Sequence, residues 1–122
     1  MNLGWLDVCL RVESVIRSRE FYEGLGFQRA EGDDAEGWAV VVNGESRIGL
    51  FEPQFMGDQR MMLNFRGGDV LANATALEAK GYEFAEPAQA GKEGGGSAKL
   101  IDPDGNHIFL DTAPGETKKV PG

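Results

Sequence analysis

Cys9 and His107 are the only cysteine and the only histidine among 122 residues. A single thiol excludes an internal disulfide, and one Cys with one His falls short of the three or four donors of a zinc site. Basic residues are also scarce: 12 Lys and Arg stand against 20 Asp and Glu, for a net charge of −8. Binding a phosphate backbone needs a basic patch, so the acidic balance argues against nucleic acid as a partner. No apolar run approaches the ~18 residues of a membrane span. Met1-Asn2-Leu3-Gly4-Trp5 carries neither the basic region nor the apolar core of a secretion signal. The expectation is a cytoplasmic protein with no membrane contact, and the length fits one domain with one core.

What is present is a pattern of short elements. Trp5 to Val12 alternates, with Leu6, Val8, Leu10 and Val12 on an apolar face and Trp5, Asp7, Cys9 and Arg11 on a mixed one. The first face is expected to pack on helices and the second to line something wetter. Glu13 to Leu25 reads as a helix with Ser14 as N-cap, a stripe of Ile16, Phe21, Tyr22 and Leu25, an Arg19–Glu23 pair, and Gly26 as the terminating glycine. Phe27 to Glu31 is a short strand, followed by an acidic loop. Trp38 to Val42 and Arg47 to Phe51 form a hairpin in which 42 pairs with 47, 40 with 49 and 38 with 51. Residues 53–59 are a linker.

The pattern then restarts. Arg60 to Arg66 alternates. Asp69 caps a helix to about Lys80, with Val70, Leu71, Ala74 and Leu77 as its stripe, and Gly81 ends it. Tyr82 to Glu86 is a short strand, Ala88 to Gly96 a flexible connection whose Lys92-Glu93-Gly94-Gly95-Gly96 stretch reads as a mobile lid, and Ser97 to Ile101 with Asn106 to Asp111 the last hairpin. Its turn, Asp102-Pro103-Asp104-Gly105, combines a proline that pre-sets φ with a glycine that takes φ > 0. The register of this hairpin stays open, because Gly105 can form a bulge; a three-residue loop would bring Lys99 and Ile101 onto the face of His107. The helix ends Leu25-Gly26-Phe27-Gln28-Arg29-Ala30-Glu31 and Lys80-Gly81-Tyr82-Glu83-Phe84-Ala85-Glu86 correspond at a separation of 55 residues, an internal duplication.

The paired βαβββ layout, Phe21-Tyr22 with Leu25-Gly26-Phe27, the Asp102–Gly105 turn and the length together resemble the vicinal oxygen chelate superfamily: glyoxalase I, extradiol dioxygenases, fosfomycin-modifying transferases and bleomycin-binding resistance proteins. The resemblance covers roughly residues 3–113. It implies an α+β fold in which two tandem βαβββ modules, about 3–53 and 60–113, form a curled mixed sheet around a central cleft within a single domain 1–122, with residues 114–122 a mobile tail. In the family's enzymes four side chains hold a divalent metal. Those positions fall here on Asp7, on Gly49, on Arg60 (or Met62 if the alignment slips by two) and on Phe109. Gly, Arg and Phe cannot ligate such a metal, and Asp7 alone would not hold one. A replacement set of Asp7, His107 and Asp111 is disfavoured, because His107 and Asp111 lie about 13 Å apart along a strand. No metal and no cofactor are expected.

The alternation registers supply a candidate lining of Trp5, Asp7, Cys9 and Arg11, of Trp38, Val40, Arg47, Gly49 and Phe51, of Arg60, Met62 and Asn64, and of His107, Phe109 and Asp111; the ligand-binding candidates among them are Trp5, Asp7, Trp38, Phe51, Arg60, Asn64, His107 and Phe109, with Gly49 leaving space where a metal ligand would stand. Aromatics with a few converging charges suit a small-molecule pocket. Asp7 with Arg60 has a second reading, a structural ion pair in the vacated metal site. Cys9 reads as a small buried hydrophobe rather than a nucleophile. The leading expectation is a metal-independent protein that sequesters a planar or aromatic ligand, resembling the bleomycin-resistance branch and, by that resemblance, a homodimer. The alternatives are a diverged lyase or dioxygenase using a displaced metal, a metal-free isomerase using Asp7 or His107 as base, and an accessory domain whose partner is another protein.

Overall fold

The computed structural model describes residues 1–119. The elements run β1 (Gly4–Arg11), α1 (Val15–Gly24), β2 (Gln28–Asp33), β3 (Trp38–Asn43), β4 (Ser46–Phe51), α2 (Pro53–Met56), β5 (Met61–Gly67), α3 (Val70–Ala79), β6 (Glu86–Ala90), β7 (Gly96–Ile101) and β8 (His107–Thr112). The class is α+β with mixed strand pairing, and the strand–helix–strand–strand–strand order occurs twice. Two compact units divide the chain. One is Asp7–Met62; the other joins Met1–Leu6 to the chain from Leu63 onward.

In the first unit β1 runs parallel to β4, β4 antiparallel to β3, and β3 antiparallel to β2. The β3–β4 register is the expected one, Trp38↔Phe51, Val40↔Gly49 and Val42↔Arg47, around a two-residue Gly44-Glu45 loop. Ser14 caps α1 by accepting from Arg17 N–H, and Gly26 follows at φ +103°. The core is Val15, Ala39, Val41 and Leu50, with Val12, Tyr22, Phe27 and Ile48 packed against it. Two expectations fail here. Of the α1 stripe only Tyr22 turns inward, and Ile16, Phe21 and Leu25 are exposed; the residue that fills the core is Val15, one position ahead of the stripe. The β1 faces are also reversed in burial, since Leu6 is exposed while Asp7 and Cys9 are fully buried. Linker residues Pro53–Met56 form a helical turn with Met56 buried.

In the second unit β5 runs parallel to β8, β8 antiparallel to β7 and β7 antiparallel to β6. Asp69 caps α3 by accepting from Ala72 N–H at 3.1 Å. Val70, Ala98 and Leu110 form the core with Leu3, Phe65, Leu77, Phe84, Ala88 and Ile108 around them, and Leu71 is exposed. The strand expected at 82–86 begins only at Glu86. Phe84 turns into the core instead, and the ladder with β7 starts where Glu86 meets Lys99. The last hairpin adopts the alternative with Ile101 opposite His107 and Lys99 opposite Phe109. Gly4 marks a close approach: at φ +93°, a Cβ there would fall 1.8 Å from the Arg66 carbonyl oxygen. Part of the segment read as a tail is ordered, with Glu116–Lys119 forming a single turn; residues 120–122 lie outside the described ones.

Candidate functional site

Alternation sends Asp7 and Cys9 out of one face of β1, and the parallel pairing with β4 sets Arg47 beside Asp7, one residue ahead of the Val8↔Ile48 pair. Asp7 is 1% exposed. A carboxylate that deep needs a cation and hydrogen bonds to stay charged. Arg47 supplies them: its Nε donates to Asp7 Oδ1, and its Nη2 donates to Asp7 Oδ2 at 3.4 Å and to Glu31 Oε2 at 3.3 Å. The ion pair foreseen for Asp7 is therefore made within its own unit by Arg47. Arg60 is exposed and contributes its carbonyl to Arg11 N–H.

Four residues further along β4 the β3–β4 register stacks Trp38 on Phe51, with ring centroids 5.8 Å apart and planes 7° from parallel. Phe55, from the turn of α2, meets the Phe51 ring edge-on at 5.6 Å. The Trp38 Nε1–H donates to Glu36 Oε2 at 3.0 Å, which holds the indole in place. The space expected at Gly49 is filled: a Cβ there would stand 2.7 Å from the Phe51 ring and 2.9 Å from Cys9 Sγ. Glycine at 49 lets the aromatic ring and the thiol close over the backbone, so no ligand-sized gap is left.

The second unit holds Trp5, Asn64, His107 and Phe109. Asn64 stands opposite Phe109 across β5–β8, and Lys99 stands opposite Phe109 on the other side. His107 is half-buried at the start of β8 and Trp5 half-buried in β1. Asn64 Oδ1 is buried without a hydrogen-bond partner, as is Arg11 Nε in the first unit. Asp102 ties the turn before β8 by accepting from Asp104 N–H, Asn106 N–H and Asn106 Nδ2. The Asn106 bonds, side-chain first, hold its carboxyl below the ordinary carboxylate value. Lys99 Nζ lies 3.6 Å from Glu86. One residue row on, Arg66 stands opposite Asp111 and donates to Glu116 Oε2 at 3.0 Å.

The residues at the family's metal positions do not fit a divalent ion. The Asp7 carboxylate already carries the Arg47 guanidinium, and Gly49 and Phe109 have no donor atom. Among the described residues no three His, Cys, Asp or Glu side chains gather into a metal-holding group.

Sequence reasoning placed Arg47 in the lining without its partner and missed Arg66. Arg47 was legible as a member of the right face, but its neighbour was not, because the β1–β4 pairing is a tertiary fact. Arg66 carried a signal, since it lies 55 residues after Arg11, the repeat distance.

Comparison with known proteins places residues 4–110 in the glyoxalase/bleomycin resistance protein/dioxygenase superfamily model. No curated protein matches the sequence. Among solved structures, a protein described as an NAD-dependent benzaldehyde dehydrogenase from Legionella pneumophila superposes with a TM-score of 0.72 at 21% identity, over 88% of this chain and 97% of that one. A superfamily member from Vibrio splendidus 12B01 gives 0.64 at 13% identity, over 89% and 97%. A hypothetical protein from Bacillus halodurans C-125 gives 0.63 at 18%, over 88% and 91%. At such identities the likeness speaks for the fold alone.

Proposed function

Since the chain belongs to the glyoxalase/bleomycin resistance protein/dioxygenase superfamily, we propose that it is a member that binds a planar or aromatic small molecule without a metal. The observation that carries this reading is the Arg47 guanidinium on Asp7, the position of the family's first metal ligand. A carboxylate that is 1% exposed and already neutralised by an internal cation is a poor ligand for a second one. The aromatic row supports the ligand class. Trp38 and Phe51 are held parallel by the β3–β4 register, and Phe55 is exposed beside them. Such a row offers a flat face for stacking at little entropic cost. The net charge of −8 favours the approach of a cationic compound over an anionic one.

The test is a thermal-shift series on chelator-treated protein with manganese, iron, nickel and zinc, and in parallel with a planar cationic acridine dye. A ligand at 100 times its dissociation constant adds about 2.7 kcal/mol. For a domain of this size that is about 10 °C. The expected result is a dye shift, lost in Trp38→Leu, and no metal shift. A metal shift would overturn the metal-free reading; a dye shift that survives Trp38→Leu would overturn the aromatic row as its site.

A further inference from the structure

We infer that Asn43 is a self-modification site, at which the peptide nitrogen of Gly44 displaces the side-chain amide and leaves aspartate or isoaspartate in the β3–β4 turn. Of the chain's asparagines only Asn43 is followed by glycine, so only there is the attacking nitrogen free of a neighbouring side chain. Asn43 pairs with Ser46 at the end of the ladder, and Gly44-Glu45 make the connection. Gly44 has φ +59° and Glu45 a negative φ, the pattern of a type II′ turn with glycine at its first central position. Residues 43–46 are all exposed. Among the described residues nothing accepts from the Gly44 N–H, and the Asn43 carboxamide makes no hydrogen bond.

The other candidates are tied down. Asn106 Nδ2 donates to Asp102 Oδ2 at 2.8 Å, and Asn73 Nδ2 donates to the Asn2 carbonyl at 3.0 Å. Asp104-Gly105 is the pair able to close the same ring from an aspartate, and its Gly105 N–H is engaged by the Asp102 carbonyl at 3.0 Å.

In the reaction the Gly44 nitrogen adds to Asn43 Cγ. The new N–Cγ bond replaces the Cγ–Nδ2 bond, and Nδ2 leaves as ammonia with the proton that Gly44 gives up through solvent. The extended backbone at Asn43 must swing for this five-membered imide to close, which fraying of the terminal pair beside the loop permits. One water then opens the imide. Cleavage of the N–Cγ bond leaves an ordinary aspartate. Cleavage between the nitrogen and the main-chain carbonyl carbon leaves isoaspartate, whose main chain runs through Cβ and Cγ and is one atom longer. A two-residue loop does not absorb that atom while both strands keep their register. The next pair inward is Val42↔Arg47, and Arg47 is the residue that holds Asp7. Isoaspartate at 43 therefore loosens the buried ion pair, whereas aspartate keeps the chain length and leaves it in place.

The test keeps the parent and Asn43→Gln in mildly alkaline buffer at body temperature, beside the parent unfolded in urea, and maps all three by peptide mass spectrometry. Once the unfolded chain has lost its Asn43 amide, the folded parent should show a gain of one mass unit on the peptide carrying Asn43, as a mixture of aspartate and isoaspartate. Its rate there should exceed that at Asn73 and Asn106 tenfold or more, and Asn43→Gln should gain no mass at 43. An intact Asn43 in the folded parent, or a rate below that margin, overturns the inference. The reacted fraction, isolated by ion exchange on its added negative charge, should melt below Asn43→Asp. Equal melting overturns the link to Arg47. No ligand enters either measurement, so the outcome is independent of the aromatic-row reading.

Discussion

Removing Arg47 alone should cost more stability than removing Arg47 and Asp7 together. Asp7 is 1% exposed, and its carboxylate is held by the Arg47 guanidinium, itself 22% exposed. In Arg47→Met that carboxylate stays buried without its cation. Breaking one side of a buried pair costs about 3–5 kcal/mol. Partial exposure of Arg47 and the loss of its bond to the more exposed Glu31 put the expected value at the low end, about 3 kcal/mol. With ~2 cal/mol/K per residue of unfolding entropy, that is about 12 °C in Tm. It is also a large share of a total stability of order 5–15 kcal/mol.

The double variant Asp7→Leu with Arg47→Met replaces both charges by apolar groups of similar size. Such swaps are neutral or stabilising by about 1–4 kcal/mol, so the double variant should melt near or above the parent. Urea denaturation of the parent, both singles and the double closes the cycle, with the coupling energy as readout. A coupling below about 0.5 kcal/mol would refute the argument, because the two side chains would then be acting independently.

Gly49→Ala should strike the aromatic row without touching its rings. The new Cβ meets Phe51 and Cys9 Sγ at under 3 Å, so the Phe51 ring must leave its stack with Trp38. Overpacking of this kind costs about 1–3 kcal/mol, and the change should appear in the tryptophan fluorescence and near-ultraviolet circular dichroism. An unchanged spectrum with unchanged Tm would count against the packing described. Asp34 sets an acid limb. Its hydrogen bond from Arg19 holds its carboxyl below the ordinary value near 4. A lowered folded-state value means the contribution is fully present above the unfolded value and is lost as pH falls through the folded one. Tm should therefore be level in this respect from pH 7 to about 5 and fall below about 4, with a shallower fall in Asp34→Asn; an identical slope in both proteins would remove Arg19–Asp34 from the account.

Much of the local structure was legible because its causes are local. Ser14 and Asp69 precede their helices and cap them, Gly26 and Gly81 follow them at positive φ, and the hairpin register around Gly44-Glu45 is set by alternation and loop length. The α1 stripe misled because Ile16, Phe21 and Leu25 recur at helical spacing, yet the core admits only the side that Val15 and Tyr22 present. The strand at 86–90 was displaced because pairing with β7, four residues past the apparent repeat, outweighs the local β-propensity of Tyr82 to Phe84.

The sequence by itself determined the duplication, the capped helices, the register of the first hairpin and the superfamily, and it showed that the metal positions carry Asp, Gly, Arg or Met, and Phe. Only the tertiary structure decided which charge answers which. Parallel pairing of β1 with β4 joins residues 40 apart and gives Asp7 to Arg47 rather than Arg60, and the return of the segment after β8 joins residues 50 apart and gives Arg66 to Glu116. An ion pair forms where the backbone brings two side chains within reach, and strand neighbours across such separations leave no periodic trace in the chain.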